Sequence, residues 1–463
     1  MIERLSTGDA RLDEILCGGL VANAITLIAG EPGTGKTILA EQCLFGNASP
    51  ERPGIYFSTV SEPFDKLLRY GQSLSFFDAK QIGRSVFYDD LGDALHRNGL
   101  AGVREGVDAL IKERRPGIVV IDSFKALRDF AVDDADFRRF LHDLSGRLTA
   151  LAITSFWVGE YATQEARQCP EFGVADAVIH LETKRTAERV GRYLSVLKLR
   201  GSGYWPGEHS YRLSAAGIEA FPRLADARDD TRFESSDERV STGIPALDDA
   251  LGDGYWAGST TLIAGPSGAG KTLMGLHFLY SGAERGEPGI LMTLQENRTQ
   301  LGRIINRFGW VPDGDVTIMD RSPVELLVDE LVYELLDCID DIGARRVVID
   351  SIGDLQLATP DPIRFREFAH SLVQRCARTG VSLLFTFETS ELFRVTQLSE
   401  VGMSHISDNV VLLQHVRDGA QMKRALTVLK TRGSNNDPMI REFQISDDGI
   451  TIGEPINLQS LLQ

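Results

Sequence analysis

Two stretches of the 463-residue sequence have the residue types and spacing to hold a nucleoside triphosphate. Gly30-Glu31-Pro32-Gly33-Thr34-Gly35-Lys36-Thr37 and Gly265-Pro266-Ser267-Gly268-Ala269-Gly270-Lys271-Thr272 both satisfy G-x-x-x-x-G-K-[ST]. The glycines let the backbone wrap a phosphate with its N–H groups turned inward, at the positive end of the following helix. Lys36 and Lys271 are placed to reach the β- and γ-phosphates of ATP, and Thr37 and Thr272 to ligate Mg²⁺. One such match can be a ligand-free glycine turn. Two in register, each between an apolar run and a helix, make chance negligible.

Further residues repeat downstream. Asp122 and Asp350 end the apolar runs Val119-Val120-Ile121 and Val347-Val348-Ile349, where a second carboxylate on the magnesium side is expected. A lone Asp at a strand end is usually a turn residue; recurrence after a P-loop favours the metal role. Hydrolysis also needs a group that orients or activates water. Glu296, in Leu294-Gln295-Glu296-Asn297, and Glu62, in Val60-Ser61-Glu62-Pro63, are the candidates, although ungapped superposition sets Ser61 opposite Glu296. A solvent-facing loop carboxylate is the plainer reading of either. Lys198/Arg200 and Lys430/Arg432 form K-x-R pairs on alternating strands, so both cations of a pair can face one anion. A charged edge strand looks the same alone, and again the repetition favours function.

The elements that must position these groups are also duplicated. Leu5-Ser6-Thr7-Gly8 with Leu12-Asp13 returns as Val240-Ser241-Thr242-Gly243 with Leu247-Asp248, and Thr26-Leu27-Ile28-Ala29-Gly30 as Thr261-Leu262-Ile263-Ala264-Gly265, at one constant offset. Val196-Leu197-Lys198-Leu199-Arg200-Gly201 returns as Val428-Leu429-Lys430-Thr431-Arg432-Gly433. This predicts a first domain over 1–224, a charged linker over 225–239 and a second domain over 240–463. Leu27–Ala29, Ile55–Phe57, Ile118–Ile121 and Leu151–Ile153 read as strands covered on both faces, with helices such as Arg138–Leu148 between them. The expected fold is therefore α/β, two tandem P-loop domains, each a mostly parallel sheet flanked by helices. Antiparallel strands are expected from Arg192 to Ile218 and from Lys423 to Ile452.

Composition bounds the rest. With 43% hydrophobic and 25% charged residues the chain has the profile of a globular protein. No apolar run approaches the roughly 20 residues of a membrane span, and Met1-Ile2-Glu3-Arg4 does not open a signal peptide, so a cytoplasmic protein without membrane contact is expected. The formal charge of −17 argues against gripping nucleic acid. Cys17, Cys43, Cys169, Cys338 and Cys376 form no C-x-x-C pair and read as buried, reduced thiols.

The duplicated S-T-G-x-x-x-L-D segment, P-loop, I-D-S strand and K-x-R-G strand together resemble the KaiC family of RecA-like ATPases over nearly the whole chain. Ile440-Arg441-Glu442-Phe443 with Ile445-Ser446-Asp447 looks like that family's ending to its second domain. The resemblance implies a homo-oligomer, a hexameric double ring with ATP held between subunits. Lys198, Arg200, Lys430 and Arg432 would then reach the neighbour's ATP. It also implies a signalling ATPase with a protein partner of unknown identity and serine/threonine autokinase activity in the second domain. Three departures stand out. The family's adjacent glutamates read here Val60-Ser61, with Glu62 next, and Gln295-Glu296, so Gln295 cannot serve as a base. The neighbouring Ser-Thr phosphoacceptors become Ser404-His405, leaving Ser404 or Ser407 as acceptor. The chain stops at Gln463 without the extension that binds clock regulators, so a cyanobacterial clock role is not expected. Competing readings are a nucleotide-gated scaffold with little turnover and a DNA-dependent RecA-like motor.

Overall fold

The computed structural model describes residues 2–59, 64–162, 165, 168–186, 189–226, 236–311, 315–322, 327–359, 361–389, 403–418, 421–435, 437–447 and 449–456. The chain forms two compact units, Met1–Ala227 and Arg228–Gln463. Each is built on a nine-stranded sheet. In the first unit the strand order is Gly217–Phe221, His209–Ser214, Arg189–Leu199, Ala177–Thr186, Ile25–Gly30, Thr154–Glu160, Ile118–Asp122, Gly54–Ser58 and Val86–Asp90. From Ala177–Thr186 to Val86–Asp90 neighbouring strands run parallel; the others are added antiparallel. The second unit repeats this order around the strand Thr260–Gly265. The expected RecA-like α/β fold with antiparallel additions is what the chain adopts.

The central parallel strands are mostly apolar because both faces are covered. Alternate residues separate into two cores: Ile118 and Val120 pack with Leu39 and Leu44 of the helix Lys36–Asn47. Val119 and Ile121 pack with Val103 of Gly92–Arg114 and Leu144 of Asp134–Ala150. Trp157, fully buried, stacks on Phe124 at 4.0 Å. Truncating such a ring costs about 3–5 kcal/mol.

The repeated S-T-G-x-x-x-L-D segment proves to be a local lock. Ser6 Oγ donates to Asp13 Oδ2 at 2.6 Å and the Thr7 amide to Oδ1 at 2.8 Å; Ser241 and Thr242 do the same to Asp248 at 2.6 and 2.7 Å.

Two expectations need correction. Leu151–Ile153 is not a strand: the helix runs to Ala150, Leu151 caps it, and Ala152 turns the chain with φ 53° before the strand Thr154–Glu160 begins. The thiols are free, but only Cys43, Cys169 and Cys376 are buried; Cys17 is exposed and Cys338 half-buried. Of the segment read as a linker, Leu224–Asp226 closes the first unit in a 3-10 turn, and Arg239 pairs with Trp256 at the start of the second. No helix among the described residues is long and apolar enough to cross a membrane.

His277, on the helix Lys271–Ala283, gives this core a pH dependence. Its ring packs edge-on to Trp310 at 4.9 Å, and burial lowers its pKa from 6.5 to about 4. The unfolded ring takes up a proton below about 6.5, the folded one only below about 4. Stability contributed by the neutral ring is therefore present above that window and lost as pH falls through it. Between pH 7 and pH 5 the wild-type second unit should lose about 2 kcal/mol more than His277→Leu, measured by urea unfolding. Parallel losses would refute this.

Candidate functional site

Both P-loops sit where a parallel strand runs into a helix. Gly33 and Gly35 have φ of 77° and 88°, Gly268 and Gly270 of 72° and 104°, so these turns use the left-handed backbone that glycine permits. A Cβ on Gly30 would lie 2.2 Å from the Leu181 carbonyl oxygen. The buried Lys36 Nζ donates to the Glu31 carbonyl at 2.8 Å, and Lys271 Nζ to that of Pro266 at 2.9 Å. Burial lowers the pKa of both lysines, with nearby carboxylates opposing the shift. Helices of 12 and 13 residues start at these lysines, so each loop presents its amides at a positive helix end. In the first unit the loop borders a 580 Å³ cleft.

The strand-end aspartates meet the P-loop threonines. Thr37 Oγ1 donates to Asp122 Oδ2 at 2.7 Å and Thr272 Oγ1 to Asp350 Oδ2 at 2.6 Å. A second hydroxyl holds each carboxylate: the Tyr56 hydroxyl bonds Asp122 Oδ2 at 2.7 Å, and Thr386 Oγ1 bonds Asp350 Oδ1. The peptides Asp122-Ser123 and Asp350-Ser351 are both cis. A hydroxyl and a carboxylate oxygen side by side at a helix N-terminus form an all-oxygen donor set that fits a small divalent cation.

Glu296 is half-buried beside Asp350. Burial, then the Asp350 charge, raises its pKa, and its buried Oε2 has no hydrogen-bond partner among the described residues. Gln295 instead donates to Asp354 at 2.9 Å. Glu62 lies outside the described residues.

Two further carboxylates at these sites escaped the sequence reading. Glu160 ends the strand beside the P-loop strand, in register with Gly30, and lines the cleft with Lys36. Glu388 pairs in register with Gly265, and its Oε2 lies 3.9 Å from Lys271 Nζ.

The K-x-R pairs do not meet the P-loop of their own unit. Gly30 is level with Leu181, which pairs with Leu194, whereas Leu199 pairs with Ala177 at the opposite sheet edge. Lys198, paired with Val178, thus stands roughly 10 Å along the strand from the P-loop level. Its Nζ donates to the carbonyls of Phe172 at 3.1 Å and Gly173 at 2.9 Å; Arg200 reaches Gly173 O at 3.3 Å and Asp176 at 3.2 Å. Lys430 and Arg432 repeat the arrangement on the carbonyls of Ser407 and His405, at 2.6 and 2.9 Å. Both cations of each pair reach backbone carbonyls at or just past the end of a short helix.

Ser407 is fully buried, so in this conformation it offers no hydroxyl to a phosphate donor, contrary to its reading as an acceptor. Ser404 lies on the turn Met403–Ile406, and its side chain is outside the described residues.

The profile of the ATPase KaiC family matches residues 5–225 and 240–457. Circadian clock protein KaiC3 of Synechocystis sp. is 30% identical over 98% of this chain and 92% of its own. Circadian clock oscillator protein KaiC of Picosynechococcus sp. is 31% identical over 97% and 90%, and that of Synechococcus elongatus 30% identical over 97% and 88%.

The contact between Glu388 and Lys271 has a measurable consequence. The carboxylate competes with phosphate for the lysine and repels the phosphate itself. In a Lys36→Ala background, Glu388→Gln should bind a fluorescent ATP analogue about fivefold more tightly, the effect of roughly 1 kcal/mol at a half-exposed ion pair. Unchanged or weaker binding would remove Glu388 from the site.

Proposed function

The chain belongs to the KaiC family of ATPases, and on that premise we propose that it hydrolyses ATP-Mg²⁺ at the subunit interfaces of a hexameric ring, in a signalling role. The observation that carries this reading is the place of the K-x-R pairs. Lys198/Arg200 and Lys430/Arg432 stand at the sheet edge opposite the P-loop of their own unit, which supports their action on a phosphate held by a neighbouring subunit.

In this reading the P-loop amides with Lys36 and Lys271 bind the β- and γ-phosphates. Thr37 with Asp122, and Thr272 with Asp350, would hold a magnesium ion, which when bound would supply positive charge to the phosphates. Glu296 takes the proton from the attacking water in the second domain, its raised pKa making it the better base. Glu62 serves the first domain. The neighbour's lysine and arginine stabilise the charge that spreads over the transferred phosphoryl oxygens. Phosphate transfer to the second domain is a separate activity of the same site, with Ser404 rather than buried Ser407 as acceptor.

Phosphate release from the purified chain, with native mass for ring size, tests this. Release should be indifferent to DNA; strong stimulation would favour a nucleic-acid motor. Glu296→Gln should abolish second-domain turnover, and if turnover barely changes the ATP there is structural. Removing a K-x-R pair should cost on the order of a thousandfold in kcat at that tier of sites while each P-loop still binds ATP. Intact mass after Mg-ATP incubation separates the kinase: one added phosphate, mapped to Ser404, supports it, and no added mass removes it.

A further inference from the structure

In the first unit one tyrosine joins the start of the P-loop to the helix that holds the Lys198/Arg200 pair. Tyr161 directly follows Glu160, and its amide donates to the carbonyl of Gly30, the first P-loop glycine, at 3.2 Å. Lys125, just beyond the strand that ends in Asp122, lies over its ring at 5.0 Å. The Tyr161 hydroxyl donates to Glu171 Oε1 at 2.6 Å, and Phe172 packs edge-on against the ring at 5.1 Å. Gly159 leaves room for this: a Cβ there would fall 2.4 Å from the Tyr161 ring.

Glu171 belongs to the turn of helix Pro170–Val174, whose Phe172 and Gly173 carbonyls hold Lys198 and Arg200. It is fully buried, and its Oε2 has no partner among the described residues. An apolar side chain would pack this helix without the desolvation penalty of a carboxylate. The tyrosine stays a donor, since burial and then the Glu171 charge raise its pKa well above the usual value. Among the described residues of the second unit there is no such link. By register Thr389 stands for Tyr161, with its Oγ1 unpartnered among the described residues, and Met403 stands for Glu171.

We infer that the Tyr161–Glu171 bond is a positioning link, particular to the first domain, that ties the P-loop of a subunit to the Lys198/Arg200 pair the same subunit offers its neighbour. The inference rests on the proposed action of that pair across the subunit interface. Loss of the hydroxyl leaves Glu171 without a donor on either oxygen. The helix must then shift to hydrate it, and the carbonyls that place Lys198 and Arg200 move too.

Mixed rings test the link, with Glu296→Gln in every subunit to silence the second domain. Asp122→Asn subunits keep the cation pair but cannot hydrolyse in the first domain; Lys198→Ala/Arg200→Ala subunits keep the P-loop but lack the pair. Each alone should be inactive, and mixing should restore phosphate release. Tyr161→Phe is then placed in the Asp122→Asn subunits only. Their own sites are silent, so a merely local role for Tyr161 changes nothing. The expected result is at least a fivefold fall in kcat at unchanged ring mass and unchanged KM for ATP. Glu171→Leu, which removes the acceptor but fills its space, should give the same fall if Tyr161→Phe melts early. Restoration unaffected or increased by both substitutions overturns the link and leaves the proposed function standing. No restoration on mixing overturns the action across the interface, and the link with it.

Discussion

The register of the parallel strands is the constraint from which both sites follow. Gly30 is fixed level with Glu160 on one side and Leu181 on the other, and Gly265 level with Glu388. Asp122 is level with Val158, one step across the same edge. That alignment puts backbone amides, lysine, threonine hydroxyl and two carboxylates on the C-terminal edge of one sheet, where ligands of open α/β sheets bind. The strand that follows runs antiparallel and carries its K-x-R pair to the opposite edge. A one-residue slip would turn each of these side chains to the wrong face and bury charge in a core now lined by Val119, Ile121 and Trp157.

Charge is tolerated at this edge because nearly every ion there is held by more than one group. Asp122 accepts from Thr37 and Tyr56, and Asp350 from Thr272 and Thr386. Lys36 and Lys271 each donate to a P-loop carbonyl while feeling the field of strand-end carboxylates. Glu296 is held differently. Its Oε2 is buried and unpartnered among the described residues, and an unpaired acceptor beside a second carboxylate is disposed to take a proton. A buried, unpartnered carboxylate oxygen therefore lies where the chemistry would need a base.

Much of this was legible in the sequence because it recurs. The P-loops, Asp122 and Asp350, and the K-x-R pairs announced themselves by residue type, spacing and repetition. Glu160 and Glu388 did not, although they too recur. The apolar run Leu151–Ile153 drew the strand boundary onto a helix end, and the real strand opens with Thr154-Ser155, polar residues buried by their neighbours. With the strand drawn at Leu151–Ile153, Glu160 lay beyond its end and was not singled out. The destination of the K-x-R pairs was hidden for another reason: alternation tells which face a cation shares, whereas the carbonyls of Gly173 and His405 come from short helices that only tertiary structure brings there.

The two halves differ most where repetition ends. Tyr56, at Asp122, has its place taken by Leu291 in the second unit, and Thr386 supplies from the adjacent strand the hydroxyl that Val158 lacks. Each unit thus keeps two hydroxyls on its aspartate but draws the second from a different strand. Such a swap preserves the charge balance at the carboxylate while changing what moves with it. In the first unit the aspartate is tied to the strand next to the sheet's far edge, in the second to the strand that carries Glu388. Displacement of Glu388 would pull on the Asp350 partner directly, whereas Glu160 lies on the strand whose Val158 is paired with Asp122 and offers that carboxylate no hydroxyl. The duplicated fold therefore holds two sites of like composition whose parts are coupled along different strands.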